Sequence, residues 1–177
     1  MRGSDSANIY LVLAVERIAL VARYAAYLIL APPFLLGYFE GSYLDLAVIT
    51  ALVVAHNAYV HWILSARRYE RFLTVSNFLI YLGEVSLATY ITGADTSDAY
   101  LMYALVLIGF GAYHRRFART LMAALACCAA YGAVLGVEFV RLGFETDPPN
   151  LIARFLFLFV CGWLVASMSE QLREGES

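Results

Sequence analysis

The chain reads as an all-α integral membrane protein, a bundle of six transmembrane helices with both termini in the cytoplasm. Three observations predict this: 62% of the 177 residues are hydrophobic against 15% charged, the mean hydropathy is +0.71, and the apolar runs are continuous rather than alternating. Soluble domains do not reach this balance. Continuous runs of about 20 residues fit helices and not barrel strands.

The crossings are expected at 18–39, 44–66, 72–92, 97–114, 118–140 and 150–169. Orientation follows from the arginines, because an excess of basic residues in short loops marks the cytoplasmic side. Arg67, Arg68, Arg71, Arg115, Arg116, Arg119 and Arg173 fall near one face, together with Arg2, Arg17 and Arg23. Only Arg141 and Arg154 fall near the other, where Glu40, Asp45, Asp95, Asp98, Glu145 and Asp147 collect. The formal net charge of −2 hides this asymmetry. The organisation is then a cytoplasmic or interfacial segment at 1–17, a membrane domain at 18–169, and the start of a cytoplasmic helix at 170–177. The first run is too long for the apolar core of a signal peptide and is kept as an anchor. A multi-pass location in a membrane, with the basic loops on the cytoplasmic side, is expected.

Before the first crossing, residues 8–17 suit an interfacial helix, with direct helical entry into the membrane as the alternative. Within that crossing Pro32 and Pro33 remove backbone donors and predict a kink. The second crossing carries His56, Asn57 and His61, and the third carries Asn77 and Glu84. Polar groups inside a bilayer cost free energy, which makes these five the first candidates for signal or ligand sensing. Counted inward from 66 and 72, His56 and Glu84 lie about 15 and 18 Å deep at the helical rise. They are placed to meet near mid-bilayer, while His61 and Asn77 form a shallower layer. A carboxylate beside an imidazole suits proton sensing; a plain hydrogen bond fixing helix register is the equal alternative.

His114 ends the fourth crossing beside Arg115 and Arg116 and reads as interfacial. The fifth crossing repeats small residues every four positions, at Thr120, Ala124, Cys128, Gly132 and Gly136. Such a ridge lets helix backbones approach in lipid, either within one bundle or across a dimer. Cys127, Cys128 and Cys161 lie inside crossings as small apolar fillers. Between the fifth and sixth crossings, Asp147-Pro148-Pro149 stops one helix and starts the next. After the sixth, Ser167-Met-Ser-Glu-Gln-Leu-Arg-Glu174 continues with strong helix formers.

Several functions are excluded or weakened. The chain has no lysine, so Schiff-base chemistry is absent. Adjacent cysteines point about 100° apart on a helix and do not form a metal site. Haem needs two histidines at one depth on different helices, a condition that His61 and His114 meet only roughly. A vitamin-type transporter subunit would need long outer loops, and a lipid-modifying enzyme would need clustered acids or histidines at one interface. No nucleotide-binding or phosphoacceptor motif occurs, so the chain is not expected to be an enzyme.

The segment Tyr90-Ile-Thr-Gly-Ala-Asp-Thr-Ser97, followed by Tyr100-Leu-Met-Tyr103, resembles the Thr-Gly-Gly-x-x-Ser-Pro-Phe turn between the third and fourth helices of bacterial six-helix sensor modules. Tyr131 and the run Arg154 to Arg173 are similar to the same group's last two helices. The resemblance covers roughly 70–174, and Ala94 and Asp98 depart from its turn. It implies the input module of a histidine kinase of the pilus-regulating or redox-responding type, or of a diguanylate cyclase. Thr92 and Asp95 in the turn become sensing candidates. The partners implied are the bilayer, a second copy of the chain and a cytoplasmic output domain, with no nucleic acid. No cofactor is expected; in the redox-responding members the turn is associated with quinone, but this chain lacks their fuller glycine-asparagine-proline-phenylalanine motif.

Overall fold

The computed structural model describes residues 43–66, 71–114, 116–142 and 147–174, with isolated positions between 20 and 37. The described residues are helical apart from short turns. Five α-helices follow in order: α1 Tyr43–Ala66, α2 Arg71–Ile91, α3 Leu101–His114, α4 Phe117–Leu142 and α5 Pro148–Glu174, with a 3-10 turn, Asp98–Tyr100, leading into α3. They coincide with the second to sixth expected crossings within a few residues. The first crossing and Pro33 lie largely outside the described residues; at Pro32, the carbonyl accepts the Leu36 amide at 3.0 Å.

Three helices are long and apolar enough to cross a membrane: Tyr43–Ile63, Phe117–Arg141 and Pro148–Gln171. Val75–Ile91 and Asp98–Gly111 are shorter apolar helices. The protein is therefore a helical membrane protein by length and composition.

Two compact units divide the chain, Met1–Leu73 and Thr74–Ser177. In the first, α1 buries His56, Asn57, Val60 and Ile63; Val60 lies four residues from His56 and three from Asn57 and from Ile63, so they form one stripe. His61 on the same helix is exposed. The Thr50 hydroxyl donates to the Leu46 carbonyl at 2.7 Å, so its polar group is met within the helix.

The second unit holds the larger core. In α4 the buried positions are Thr120, Ala123, Ala124, Cys127, Tyr131, Leu135 and Glu138; in α5 they are Leu151, Arg154, Leu158, Gly162, Ala166 and Ser169. Apart from the adjacent pair Ala123 and Ala124, both series step by three or four, which puts each on a single helix face. These faces meet Tyr103 and Leu107 of α3, and Phe78 and Val85 of α2 join the same cluster. The two-residue link at 115–116 makes α3 and α4 antiparallel neighbours.

Lipid tails are as apolar as leucine, so close packing has to hold such a bundle together. The chain supplies small residues at the contacts. Gly162 faces Ala124, Gly111 faces Val165 and Ser169, and Gly132 faces Phe155, whose Cζ would lie 3.6 Å from a Cβ added there. The small-residue ridge on α4 is thus used within the bundle at Thr120, Ala124 and Gly132. Cys128 is half-buried against the core, whereas a side chain at Gly136 would enter open space. Cys127 fills the core as a free thiol.

Candidate functional site

The candidate site grows from the way α2 ends. Gly93 has φ of 92°, its amide donates to the Tyr90 carbonyl at 3.3 Å, and the Ala94 amide donates to the Thr89 carbonyl at 2.9 Å. This pair of bonds is a Schellman motif, with glycine where the left-handed backbone requires it. The chain then folds back tightly. The amides of Thr96 and Ser97 donate to the Gly93 carbonyl at 2.7 and 3.2 Å, and the Ser97 hydroxyl caps the 3-10 turn by accepting the Ala99 amide at 3.0 Å. Thr92 and Ser97 share a hydroxyl hydrogen bond of 2.6 Å across the turn.

A Cβ at Gly93 would lie 2.8 Å from Thr96 Oγ1. Gly93→Ala is therefore expected to cost about 1–2 kcal/mol, from backbone strain and this contact together. Unfolding of the reconstituted protein in bicelles measures the loss.

Two long helices tie this turn to the bundle. Asp95 is buried, and its amide donates to Glu138 Oε2 of α4 at 2.9 Å. Arg154 of α5 donates through Nη1 to the Ser97 carbonyl at 3.0 Å and to the Tyr131 hydroxyl at 3.2 Å. Its guanidinium lies 4.7 Å from the centre of the Tyr100 ring. Tyr100 in turn meets Tyr131 and Phe157 at 5.9 and 6.0 Å, and Tyr131 meets Phe155 at 5.2 Å. Asp95, Glu138 and Arg154 are only 2%, 8% and 6% exposed. Three ionisable side chains buried at one end of an apolar bundle mark a site, because each costs free energy that an apolar residue would not.

Beneath this knot, Tyr103 is fully buried and its hydroxyl donates to Ser86 Oγ of α2 at 2.9 Å. Ser86 passes its own proton to the Leu82 carbonyl at 2.7 Å, and Thr89 donates to the Val85 carbonyl at 2.8 Å. Each hydroxyl is satisfied locally, as a low-dielectric interior demands. At the rim, Arg141 lies over the Tyr90 ring at 5.8 Å.

Of the residues singled out in the sequence, the structure brings Thr92 and Asp95 into this knot. Glu84 and Asn77 are half-buried on α2 outside it. His56, Asn57 and His61 belong to the other unit. Among the described residues, no three His, Cys, Asp or Glu side chains gather as metal ligands.

Arg154 and Glu138 were not among the sequence candidates, yet a signal for them exists. Arg154 lies six residues into α5 and Glu138 four residues before the end of α4, so they sit at similar depth on consecutive antiparallel helices. Each also occupies a position in its helix's buried stripe, where a charge needs a partner.

The fold and this site define a class, a helical membrane protein with a polar knot closing one end of its bundle. No family model, curated protein or solved structure matches the chain.

Proposed function

We propose that the chain is the input module of a bacterial membrane signalling receptor of the sensor histidine kinase type. It acts as a six-crossing homodimer in the cytoplasmic membrane with both ends inside. A stimulus alters the 92–97 turn, and α5 carries the change to a cytoplasmic output domain.

One observation carries this reading. A single uninterrupted helix, Pro148–Glu174, holds Arg154 in the knot near one end and an exposed Glu170–Arg173 pair, 2.9 Å apart, near the other. The helix is about 40 Å long at 1.5 Å per residue. Between its ends it packs against α3 and α4 through glycine contacts that leave little room for independent bending. A rigid rod joined at one end to a buried polar latch is a two-state element of the kind that transmits signals. Any stimulus must bind or stabilise one packing better than the other for the rod to shift.

The test joins the chain to a kinase core and measures autophosphorylation in vesicles. Arg154→Met is expected to change the basal rate at least about fivefold, a difference on the order of 1 kcal/mol. Val140→Ala, at an 84% exposed position, is expected to leave it unchanged. Equal rates in the wild type and both variants would overturn the proposal.

A further inference from the structure

The opposite end of the bundle holds a histidine that the proposed signalling route does not use. His114 is the last residue of α3, at the end of the fourth expected crossing. Its ring lies 4.2 Å from that of Phe110, which meets Phe78 of α2 at 4.7 Å. The imidazole Nε2 is buried and, among the described residues, has no hydrogen-bond partner. One turn earlier, α3 and α5 touch closely at Gly111. The Ser169 hydroxyl reaches the Gly111 carbonyl at 3.0 Å, and a Cβ at Gly111 would lie 2.9 Å from that hydroxyl.

We infer that His114 is an acid-sensitive lock on the C-terminal helix, closed while the imidazole is neutral and opened when it gains a proton. Protonation puts a charge on a ring that has an aromatic face on one side and, among the described residues, no acceptor for Nε2, so the charged form is poorly solvated. From α4, Arg119 adds like-charge repulsion; from α2, the stack ends in the uncharged Phe78; on α5 the acid beside Ser169 in sequence, Glu170, is held by Arg173.

Burial first, and Arg119 second, hold the His114 pKa below its ordinary value of 6.5. The sign follows from linkage. The unfolded or detached imidazole takes its proton first as the solution becomes acid, so stabilisation present above 6.5 is lost as pH falls through the folded value. The contact expected to loosen is the one a turn away on the same helix, between Gly111 and Ser169. This inference does not depend on the chain being a sensor, since its readout is the order of α5 itself.

Hydrogen exchange of the full chain in phosphatidylcholine vesicles tests it, in a pH series from about 7.5 down to about 5, a window that spans imidazole titration. After correction for intrinsic rates, amides at 166–174 are expected to exchange about tenfold faster in acid, while those at 151–158 stay unchanged. His114→Gln is expected to abolish the difference. Arg119→Gln is expected to move the midpoint to higher pH, which a merely structural role for His114 would not produce. Acid-independent exchange in the wild type would overturn the lock, as would an unmoved midpoint in Arg119→Gln or an undiminished acid response in His114→Gln.

Discussion

Replacing Arg154 by methionine is expected to lower the unfolding free energy of the bundle by about 2 kcal/mol and to release the 92–97 turn. The substitution leaves the Ser97 carbonyl and the Tyr131 hydroxyl without their donor, at about 1–3 kcal/mol for each buried group left unmet. It also removes the cation from the Tyr100 ring, worth about 1–2 kcal/mol when desolvated. Against these losses stands the relief of no longer burying a guanidinium, which amounts to several kcal/mol in the opposite direction. The net effect on global stability is therefore smaller than the sum of the parts. The local effect is not offset, because the turn loses its tie to α5 whatever the charge costs. Amide exchange at Ala94–Ser97 should rise by at least about tenfold, and Arg154→Lys should restore little, since a compact ammonium cannot span both acceptors and the ring as a planar fork does.

Gly162→Ala is expected to destabilise the bundle by about 2 kcal/mol, with Gly162→Val costing more. A methyl group there would overlap Ala124 Cβ, and it would lie 3.5 Å from Ala124 Cα and 3.7 Å from Leu107 Cδ1. Alanine has no rotamer with which to yield, so α5 must move away from α4. Alanine gains about 1 kcal/mol over glycine in helix propensity, which offsets part of an overpacking cost of about 1–3 kcal/mol. A double variant, Gly162→Ala with Ala124→Gly, should recover most of the loss, because it returns the missing space from the other side. Unfolding in bicelles of the four proteins forms a double-mutant cycle; additive losses would show that the two residues do not share a contact.

The helices were largely legible in the sequence, and the reasons are particular. In α4 and α5 apolar runs are bounded by strong signals, the Arg115-Arg116 pair before Phe117 and Asp147-Pro148-Pro149 before Asn150. Pro148 begins α5 just after Asp147, whose carbonyl accepts the Asn150 amide at 2.9 Å. Counting apolar residues started this helix two residues late, while the helix formers of Ser167–Glu174 anticipated its continuation to Glu174. The fourth crossing was expected from residue 97, whereas α3 proper begins at Leu101 after a 3-10 turn. Ser97 explains that turn, since its hydroxyl caps the chain before the α-helix begins.

The site was legible only in part. Thr92 and Asp95 stood out through their place in a glycine-bearing turn, and both join the knot. Arg154 was counted as a charge marking one side of the membrane and as the start of the run that carries the resemblance, and Glu138 passed unnoticed inside an apolar run. Composition treats a lone charge near a helix end as solvated, but packing decides. The stripe through Leu151, Leu158, Gly162 and Ala166 carries Arg154 inward, and the stripe through Ala124, Cys127, Tyr131 and Leu135 does the same for Glu138. Asp95 meets Glu138 across 43 residues and Arg154 meets Ser97 across 57, separations that no local pattern encodes.

The knot and the exit of α5 together form one mechanical proposal: what happens at residues 92–97 is felt at residues 170–174. A spin label at the exposed position Gln171, compared between the wild type and Arg154→Met in vesicles, tests this most directly. If α5 is a rod tethered by Arg154, release of the tether should shift the label's mobility or its distance to the same label in a second copy, while Val140→Ala changes neither. An unchanged signal at Gln171, in a variant whose 92–97 amides have demonstrably become fast to exchange, would contradict the account.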